Sequence, residues 1–327
     1  MFALISTGIG KLIRNGRVTS CGAQTNKQET TFGKDIFNLL VDGRYNKKVN
    51  IKRNYTSVPC IKYMDVNCKI ALITGGTCGI GLAIADSLLA AGLQKAYLSG
   101  IDDNQGSDAV GDMLMKHGVG KCDYMHIDVN NSKAFEDAFK YIICKDGSVD
   151  ILVNNAGMLN DRQWELQFDT NVKGVIRGSL LANKYMPGQK NRGGCVLNIT
   201  SISGFDCSPY SPGYNSSKHA VVGLTRAFGD AKKFHLNRVR HVAMGPGVTD
   251  TVMIDNPASR MLNEDWGKKQ VTRYATLPHQ SADAVGRGTV FAVEYGPPGS
   301  LWVVEDYRLQ RVIPPRKETY MVKVIDL

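Results

Sequence analysis

From residue 64 onward, short apolar runs alternate with amphipathic segments, and this alternation constrains the fold more than any other feature of the sequence. Apolar runs of about four to eight residues, separated by helical patterns, are typical of βαβ units around a parallel sheet. The runs predicted as strands cover residues 70–74, 96–99, 124–129, 151–154, 196–201, 239–244 and 301–304. The pattern predicts an α/β fold with a doubly wound, seven-stranded parallel sheet and helices on both faces.

The segments between these runs carry apolar residues at helical spacing. Phe135, Phe139 and Ile143 recur at every fourth position, which places them on one stripe of a helix. We interpret these side chains as contacts with the sheet and not as a cofactor-binding cluster. A long helix is predicted over residues 164–185. No internal repeat is present, so residues 64–327 are predicted to form a single domain.

The positive charge of the chain is concentrated in its first 63 residues. The 327-residue sequence carries a formal net charge of +10, which by itself would favour a nucleic-acid or anionic membrane partner. Residues 1–63 contain 11 lysines and arginines against three acidic residues, a net charge of +8, which leaves only +2 for residues 64–327. No run reaches the roughly 18 apolar residues of a transmembrane helix. We therefore predict neither a nucleic-acid partner nor a membrane span.

The basic extension, residues 1–63, has features of a targeting presequence. No acidic residue precedes Glu29, and basic residues alternate with apolar ones at near-helical spacing. Such a start is typical of mitochondrial presequences, and residues 53–55 are similar to a matrix-processing site. The alternatives are a tail without fixed structure, or translation that begins at Met64. The predicted location is accordingly the cytoplasm or the mitochondrial matrix, depending on whether the extension acts as a presequence.

Eight cysteines are spread along the chain without clustering. No two of them form a C-x-x-C motif, and they do not group with the six histidines. This distribution favours buried or unreactive thiols in a reducing compartment over a disulfide framework. It also predicts that the protein has no metal site.

A glycine-rich turn directly follows the first predicted strand. It contains Gly75, Gly79, Ile80 and Gly81 and leads into a helical segment rich in Ala and Leu. Glycines at these positions let the backbone turn sharply and approach a pyrophosphate, whose charge is stabilised by the N-terminus of the helix. A P-loop is disfavoured because the turn does not end in Gly-Lys-Ser/Thr. Taken alone, the turn could also be a plain helix start.

Later motifs extend this pattern over residues 64–305, which resemble the short-chain dehydrogenase/reductase family. The resemblance implies a Rossmann fold and an NAD(P)-dependent oxidoreductase. It also implies further cofactor contacts at three places along the chain. These are Asp128 and Val129 beside the adenine, Asn154, Ala156 and Gly157 under the cofactor, and Pro246, Gly247, Thr249 and Thr251 around the nicotinamide amide.

Two tyrosines are followed by a lysine four residues later, so that each pair projects from one face of a helix. They are Tyr141 with Lys145 and Tyr214 with Lys218. About one such pair is expected by chance in a chain with this many tyrosines, so the spacing alone identifies no site. Ser201 stands at the end of a predicted strand, 13 residues before Tyr214, and this distinguishes the second pair.

By resemblance to the family, Tyr214, Lys218 and Ser201 form the catalytic set, and Asn171 is its fourth member. Free tyrosine has a pKa near 10, so it can act as a base near neutral pH only beside a positive charge. We predict that Lys218 and an oxidised nicotinamide together lower the pKa of Tyr214 by about two to three units. The resemblance further implies that Lys218 binds the nicotinamide ribose, that Ser201 polarises the substrate oxygen and that Asn171 holds a proton-relaying water.

The predicted cofactor is NAD. In family members that use NAD, an acid at the end of the second strand binds the ribose 2′-hydroxyl. Here Gly100 takes that position, and Asp102 and Asp103 follow it. An acid pair would repel the 2′-phosphate of NADP, and no Lys or Arg is nearby in the sequence to receive it. NAD is therefore favoured over NADP.

The predicted substrate is an apolar secondary alcohol or the corresponding ketone. The layout of the motifs is most similar to the 15-hydroxyprostaglandin dehydrogenase and insect alcohol dehydrogenase branch, although Ser211 replaces a larger polar residue of the prostaglandin enzymes. Residues 252–278 are expected to form a substrate lid. Its apolar side chains either line the pocket or pack against the core: Met253, Ile254, Met261, Leu262 and Trp266. The family also implies a homodimer or a homotetramer.

Two other classes of function remain as alternatives. A non-catalytic binding protein could use the same fold, although such proteins usually lack one of the catalytic residues. A serine hydrolase would need a Gly-x-Ser-x-Gly turn, and neither Ser201 nor Ser217 lies in one. A dehydrogenase is therefore the favoured function.

Overall fold

An eight-stranded sheet organises the part of the chain that the structure describes, residues 61–187 and 193–315 of a computed structural model. Residues 1–60 of the predicted presequence lie outside the described residues, and the domain boundary placed before Met64 stays a prediction. In chain order, the strands are β1 (Ile70–Thr74), β2 (Lys95–Gly100), β3 (Cys122–His126), β4 (Ile151–Asn154), β5 (Gly194–Ile199), β6 (Val239–Pro246), β7 (Val248–Thr249), β8 (His279–Gln280), β9 (Leu301–Glu305) and β10 (Arg308–Val312).

The sheet has the strand order β3-β2-β1-β4-β5-β6-β9-β10. All neighbouring strands pair in parallel except β9 and β10, which are antiparallel. β7 and β8 form a separate two-stranded parallel sheet. The order of the parallel strands reverses between β1 and β4. In doubly wound folds this reversal opens a ligand-binding crevice at the carboxyl ends of the strands.

The predicted number of seven strands is wrong by one, because β10 was not anticipated. Asp306 and Tyr307 both have positive φ values, 51° and 59°, and connect β9 to β10. Two central residues with positive φ are typical of a tight hairpin turn. β10 lies at the edge of the sheet and exposes Arg308, Gln310 and Arg311. A charged edge strand carries no apolar run, so the pattern that revealed the other strands is absent from it.

Helices cover both faces of the sheet, as predicted. They are α1 (Gly79–Ala90), α2 (Asp103–His117), α3 (Ser132–Asp146), α4 (Trp164–Phe168), α5 (Val175–Tyr185), α6 (Pro212–Phe228), α7 (Ala231–Asn237), α8 (Glu264–Thr276) and α9 (Ala282–Tyr295). One core cluster joins the sheet to α1, α2 and α9. A second cluster joins the opposite face to α3 and α5, and it contains Phe135 and Phe139, with Ile143 packed against it. The interpretation of these three residues as core is confirmed.

The long helix predicted over residues 164–185 is interrupted. Between α4 and α5 the backbone forms a π-helical turn, Asp169–Gly174. π-turns within α-helices are rare and are frequent at functional sites. Asn171 lies in this turn. None of the helices within the described residues combines the length and apolar character needed to cross a bilayer.

Candidate active site

A cavity of about 520 Å³ lies at the carboxyl ends of β1, β4, β5 and β6. This is the crevice that the strand order predicts, and its volume is within the range of small-molecule sites. Most of the residues predicted from the sequence lie in its wall: Gly75, Gly79, Ile80, Ala156, Gly157, Ser201, Tyr214, Lys218, Pro246, Gly247, Thr249 and Thr251. The structure therefore brings together motifs that are up to 176 residues apart, from Gly75 to Thr251.

The glycine-rich turn lies at one end of the cavity, where it packs closely against the segment after β4. Gly75 has a φ of +58°, and a Cβ at this position would lie 2.9 Å from the Cα of Ala156. The Asn155 side-chain amide donates hydrogen bonds to the carbonyl oxygens of Thr74 (3.0 Å) and Gly75 (2.7 Å), which ties the end of β4 to the turn. Cys78, the N-cap of α1, makes no side-chain cap bond, and the first turn of α1 contains no acidic residue. This helix N-terminus is suited to an anion.

Tyr214 and Lys218 lie in the first turns of α6 and are both buried, with 8% and 4% of their surface exposed. The Lys218 ammonium donates to the carbonyl oxygen of Ile199 at 3.1 Å and lies 5.6 Å from the centre of the Tyr214 ring. Ser201 follows β5, and its hydroxyl accepts a hydrogen bond from the Ser203 N–H at 3.1 Å. No carboxylate pairs with Lys218 within the described residues, so its charge is not neutralised locally.

Burial shifts the pKa values of both side chains toward their neutral forms. Burial raises the pKa of Tyr214, Tyr274 raises it further, and a hydrogen bond with the Ser201 side chain opposes the rise. Burial also lowers the pKa of Lys218 to about 8. The protein's own groups thus move the pKa of Tyr214 in the direction opposite to the prediction. The reason is that removal of water disfavours the phenolate more than the neighbouring groups favour it.

Asn171 is buried behind the cavity. Its side-chain oxygen accepts from the Met158 N–H (2.8 Å), and its amide donates to the Met158 carbonyl oxygen (2.9 Å) and the Ser217 hydroxyl (3.1 Å). A Cβ on Gly157 would lie 3.1 Å from the Asn171 Oδ1 and 3.6 Å from the Lys218 Nζ. Asn171 therefore holds Met158, which lines the cavity, and the backbone at Gly157 passes between two predicted catalytic side chains.

The structure places four predicted cofactor residues outside the cavity wall. Gly81 is buried within α1. Asp128 is exposed, and its carboxylate accepts from the Asn130 N–H at 2.9 Å. Val129 packs into the core. Asn154 is only 3% exposed, and its side-chain amide donates a hydrogen bond to the side chain of Asn198 on the neighbouring strand at 2.8 Å. Because side chains alternate between the two faces of a strand, membership of the motif does not decide whether a residue faces the cavity.

Asp161 contacts the start of the helix that carries Tyr214, and this contact was not predicted from the sequence. Its carboxylate is 1% exposed and accepts hydrogen bonds from the N–H groups of Gly213 and Tyr214, both at 2.8 Å. Gln167 donates a third bond at 3.0 Å. Ser211, the N-cap of α6, makes no side-chain cap bond. The N-terminus of the helix that carries Tyr214 is thus capped by a carboxylate from more than 50 residues earlier.

The apolar side chains of the expected lid divide between the two roles proposed for them. Met253 and Ile254 line the cavity. Met261 is fully buried beside Tyr214, and Trp266 packs against the same cluster. Leu262 is 47% exposed and does neither. The lid is therefore partly pocket wall and partly core.

The expected lid segment also contributes cavity residues that were not predicted individually from the sequence. Gln270, Arg273, Tyr274 and Leu277 line the cavity from α8 and the residue after it. Gln270 accepts a hydrogen bond from the Ser208 hydroxyl at 2.6 Å. The spacing of these residues by three, one and three positions is that of one helical face, and this was the available sequence signal.

Acidic residues follow the end of β2, next to the glycine-rich turn. A Cβ on Gly100 would lie 3.1 Å from the Thr77 hydroxyl. Asp102 caps α2 by accepting from the Gln105 N–H at 3.0 Å, and Asp103 contacts His126 at 2.8 Å. Within the described residues, no three His, Cys, Asp or Glu side chains come together to hold a metal ion.

The fold agrees with comparisons with known proteins. The sequence profile described as short chain dehydrogenase matches residues 69–261. The chain belongs to the short-chain dehydrogenase family.

Named relatives narrow the comparison within this family. The 15-hydroxyprostaglandin dehydrogenase [NAD(+)] of Macaca fascicularis is 34% identical over 196 residues, which are 59% of this chain and 73% of the relative. A cyclopentanol dehydrogenase of Comamonas testosteroni is 33% identical over 207 residues, 59% of this chain and 80% of the relative. The fold is also similar to a crystal structure from Sinorhizobium meliloti 1021 that is assigned to the short-chain alcohol dehydrogenases. The TM-score is 0.62 at 23% sequence identity, and the match covers 74% of this chain and 96% of the other chain.

Proposed function

We propose that the chain, through residues 64–327, transfers a hydride between NAD and a secondary alcohol or its ketone, with Tyr214 as the general acid and base. The observation that carries this proposal is the position of Tyr214 and Lys218. Both are buried at one cavity, which also contains the open N-terminus of α1. Relatives named as dehydrogenases of alcohols support the same reaction.

Most of the residues predicted to contact a dinucleotide line this cavity. The glycine-rich turn and the uncapped N-terminus of α1 would hold the pyrophosphate, and Ala156 and Gly157 would lie under the cofactor. The side chain of Thr251 lies against Gly79, where a Cβ would be 3.2 Å from the Thr251 Cγ2, so the segment after β6 meets the turn. When bound, the nicotinamide accepts or supplies the hydride.

The protonation state of Tyr214 decides which proton transfer it can perform. Burial raises the pKa of its phenol, so the protein's own groups favour the protonated form, which donates a proton to a ketone. Oxidation of an alcohol requires phenolate, and the unpaired ammonium of Lys218 would stabilise it while Lys218 remains protonated, below about pH 8. Ser201 would hydrogen-bond the substrate oxygen, and Asn171 would fix Met158 and relay the proton through water.

NAD is proposed over NADP because of the charges near the end of β2. Asp102 and Asp103 lie two and three residues after Gly100 and would repel a 2′-phosphate. The named 15-hydroxyprostaglandin relative, which uses NAD(+), supports the same choice.

The test is the change in absorbance at 340 nm when the purified chain is mixed with NAD or NADP and a panel of secondary alcohols. We expect reduction of NAD with apolar secondary alcohols. Bound NAD without turnover of any alcohol or ketone would favour the non-catalytic binding protein instead, and a clear preference for NADP would contradict the cofactor assignment. The homodimer or homotetramer implied by the family stays a prediction that light scattering can test.

A further inference from the structure

We propose that the substrate is a secondary alcohol that carries a carboxylate group, and that Arg273 binds this carboxylate. This inference rests on the proposed function, because it specifies the substrate of the same cavity. It changes the expected substrate from a wholly apolar alcohol to one with an anionic end.

The first argument is the place of Arg273 in the cavity. It lies on α8 on the same helical face as Gln270, Tyr274 and Leu277, and all four line the cavity that contains Tyr214. Tyr274 lies close enough to Tyr214 to raise the pKa of its phenol, and Arg273 in turn acts on Tyr274. Tyr274, the residue after Arg273, also packs against the buried cluster that contains Tyr214.

The second argument is that Arg273 has unused hydrogen-bonding capacity. A guanidinium has five N–H donors in a planar fork. Within the described residues, its polar partner is the Asp206 carboxylate, at 3.4 Å, and the Asp206 side chain is 80% exposed. The Arg273 side chain is itself only 33% exposed, so it is partly desolvated, and its ion pair with Asp206 is long and open to solvent on the Asp206 side. A partly desolvated guanidinium with free N–H donors is stabilised by hydrogen bonds to an anionic ligand.

Two neighbouring cations, Arg260 and Lys269, have closer polar partners than Arg273 does. Arg260 also lines the cavity, but it donates to the Met253 carbonyl oxygen at 2.7 Å and so braces the lid. Lys269, on α8, is paired with Asp265 at 2.7 Å and lies outside the cavity wall. Of these three cations, Arg273 has the most distant nearest polar partner within the described residues, at 3.4 Å.

The geometry of the fork selects the class of anion. A planar guanidinium matches a carboxylate through two parallel hydrogen bonds. The apolar wall formed by Leu159, Met253 and Ile254 would accommodate the methylene chain between the carboxylate and the carbinol. The expected substrate is therefore an aliphatic hydroxy acid rather than a simple alcohol.

The experiment compares 5-hydroxyhexanoate, 7-hydroxyoctanoate and 9-hydroxydecanoate with their methyl esters, using NAD and the full chain. We expect at least one acid to be oxidised with a kcat/KM about ten- to a hundredfold above that of its ester, because charge-assisted hydrogen bonds contribute on this scale. The preference should fall as the ionic strength rises. Equal kcat/KM values for every acid and its ester would overturn the inference.

Three variants separate anion recognition from a structural role of Arg273. Arg273→Gln should lower kcat/KM for the acid about ten- to a hundredfold, so that it approaches the value for the ester. Asp206→Asn should raise kcat/KM for the acid, because it removes the competing carboxylate. Lys269→Gln removes the same charge from the same helix and should change neither. If Arg273 and Asp206 serve only as a latch for the lid, both substitutions will lower the rates for acid and ester alike, which contradicts the inference.

A binding measurement distinguishes failure of this inference from failure of the proposed function. Titration calorimetry with octanoate, a carboxylate that cannot be oxidised at a carbinol, is performed on the wild type and on Arg273→Gln in the presence of NAD. Octanoate binding that depends on Arg273, without turnover of any hydroxy acid, supports the anion site and contradicts the dehydrogenase. Turnover with no acid preference, and no octanoate binding, supports the dehydrogenase and overturns the anion site.

Discussion

Two tyrosine and lysine pairs with the same spacing lie in different surroundings. On α3, Tyr141 is 49% exposed, and the Lys145 ammonium donates directly to its hydroxyl at 3.2 Å and to Asp123 at 3.0 Å. On α6, Tyr214 and Lys218 are buried, and the Lys218 ammonium donates to a backbone carbonyl instead. The surface pair has the closer contact, and the buried pair is the one that faces a cavity.

In the proposed function, the reactive pair is distinguished by burial at a cavity and not by contact between its two side chains. The charge of Lys145 is shared with a carboxylate, which raises its pKa, and water screens what remains. The charge of Lys218 has no carboxylate partner within the described residues and lies in a water-poor site, where burial lowers its pKa to about 8. An unpaired charge in such a site acts strongly on a phenol or a cofactor nearby.

The largest expected effect is on kcat, and it should differ between the phenols of Tyr214 and Tyr141. Tyr214→Phe should lower kcat about a thousandfold, because it removes the general acid and base, and it should leave NAD binding unchanged. Tyr141→Phe makes the same change in the surface pair and should leave kcat as it is. Steady-state rates at 340 nm, with NAD affinity from fluorescence titration, provide the measurement. A Tyr214→Phe enzyme that keeps a tenth of its activity would refute the assignment.

The next expected effect is on kcat/KM, and it should differ between the ammonium groups of Lys218 and Lys145. Lys218→Met should lower kcat/KM about a hundredfold, because the positive charge near the phenol is lost. Its free energy of unfolding should stay equal or rise, since a buried charge without a carboxylate partner is removed. Lys145→Met should leave the kinetics unchanged. Rates and urea unfolding are measured on both variants. If both lose activity equally, burial does not distinguish the pairs.

The third effect concerns how the two helices are capped. Asn131 caps α3 locally by accepting from the Ala134 N–H at 3.1 Å, whereas Asp161 caps α6 from a distant segment. Asp161→Asn should lower kcat about tenfold, because the backbone of Tyr214 loses an anchor and its phenol shifts. Asn131→Ala should cost about 1 kcal/mol of stability without a change in kcat. Rescue of kcat by Asp161→Glu would support positioning, and an unchanged kcat in Asp161→Asn would exclude it.

The fourth expected effect is on the pH dependence of stability, and it has opposite signs for the two lysines. Below about pH 8, Lys218 is charged in both the folded and unfolded states. Between about 8 and 10.5 only the unfolded state keeps the proton, so the folded state gains stability as the pH rises, by up to about 3 kcal/mol. Lys145 has a raised pKa, so its contribution is present at lower pH and is lost as the pH rises through that value.

Urea unfolding at several pH values tests this difference. Relative to Lys218→Met, the wild type should become more stable as the pH rises through this window. Relative to Lys145→Met, it should become less stable at the upper end. Parallel curves for the wild type and Lys218→Met would contradict the lowered pKa of Lys218.

The sequence predicted the buried strands well and the partly exposed ones poorly. β1 and β4 have the predicted bounds, because every residue in them is buried and apolar runs mark both ends. β3 begins and ends earlier than predicted, at Cys122–His126, because its residues are mostly half-exposed. The apolar Ile127 and Val129 after it are buried outside the strand. β10 was missed because an edge strand needs no apolar run.

At the candidate site, the sequence predicted which segments meet but not which side chain of each segment faces the cavity. Ala156 and Gly157 line the cavity, whereas Asn154 of the same motif points into the core. Asp161 has no signal near α6, because its contact with Tyr214 joins residues 53 positions apart. The direction of the Tyr214 pKa shift depends on burial, which spacing does not reveal.

The π-helical turn Asp169–Gly174 makes the length of this segment as important as its composition. One residue of an α-helix turns the chain by about 100°, so deleting a single residue here would rotate α4 against α5 by that angle. Asn171 and the segment that presents Asp161 to α6 would then no longer face their partners together. Insertions and deletions between residues 161 and 175 should therefore be tolerated far less than substitutions on the exposed face of the same helix, and a library of length variants would map this limit.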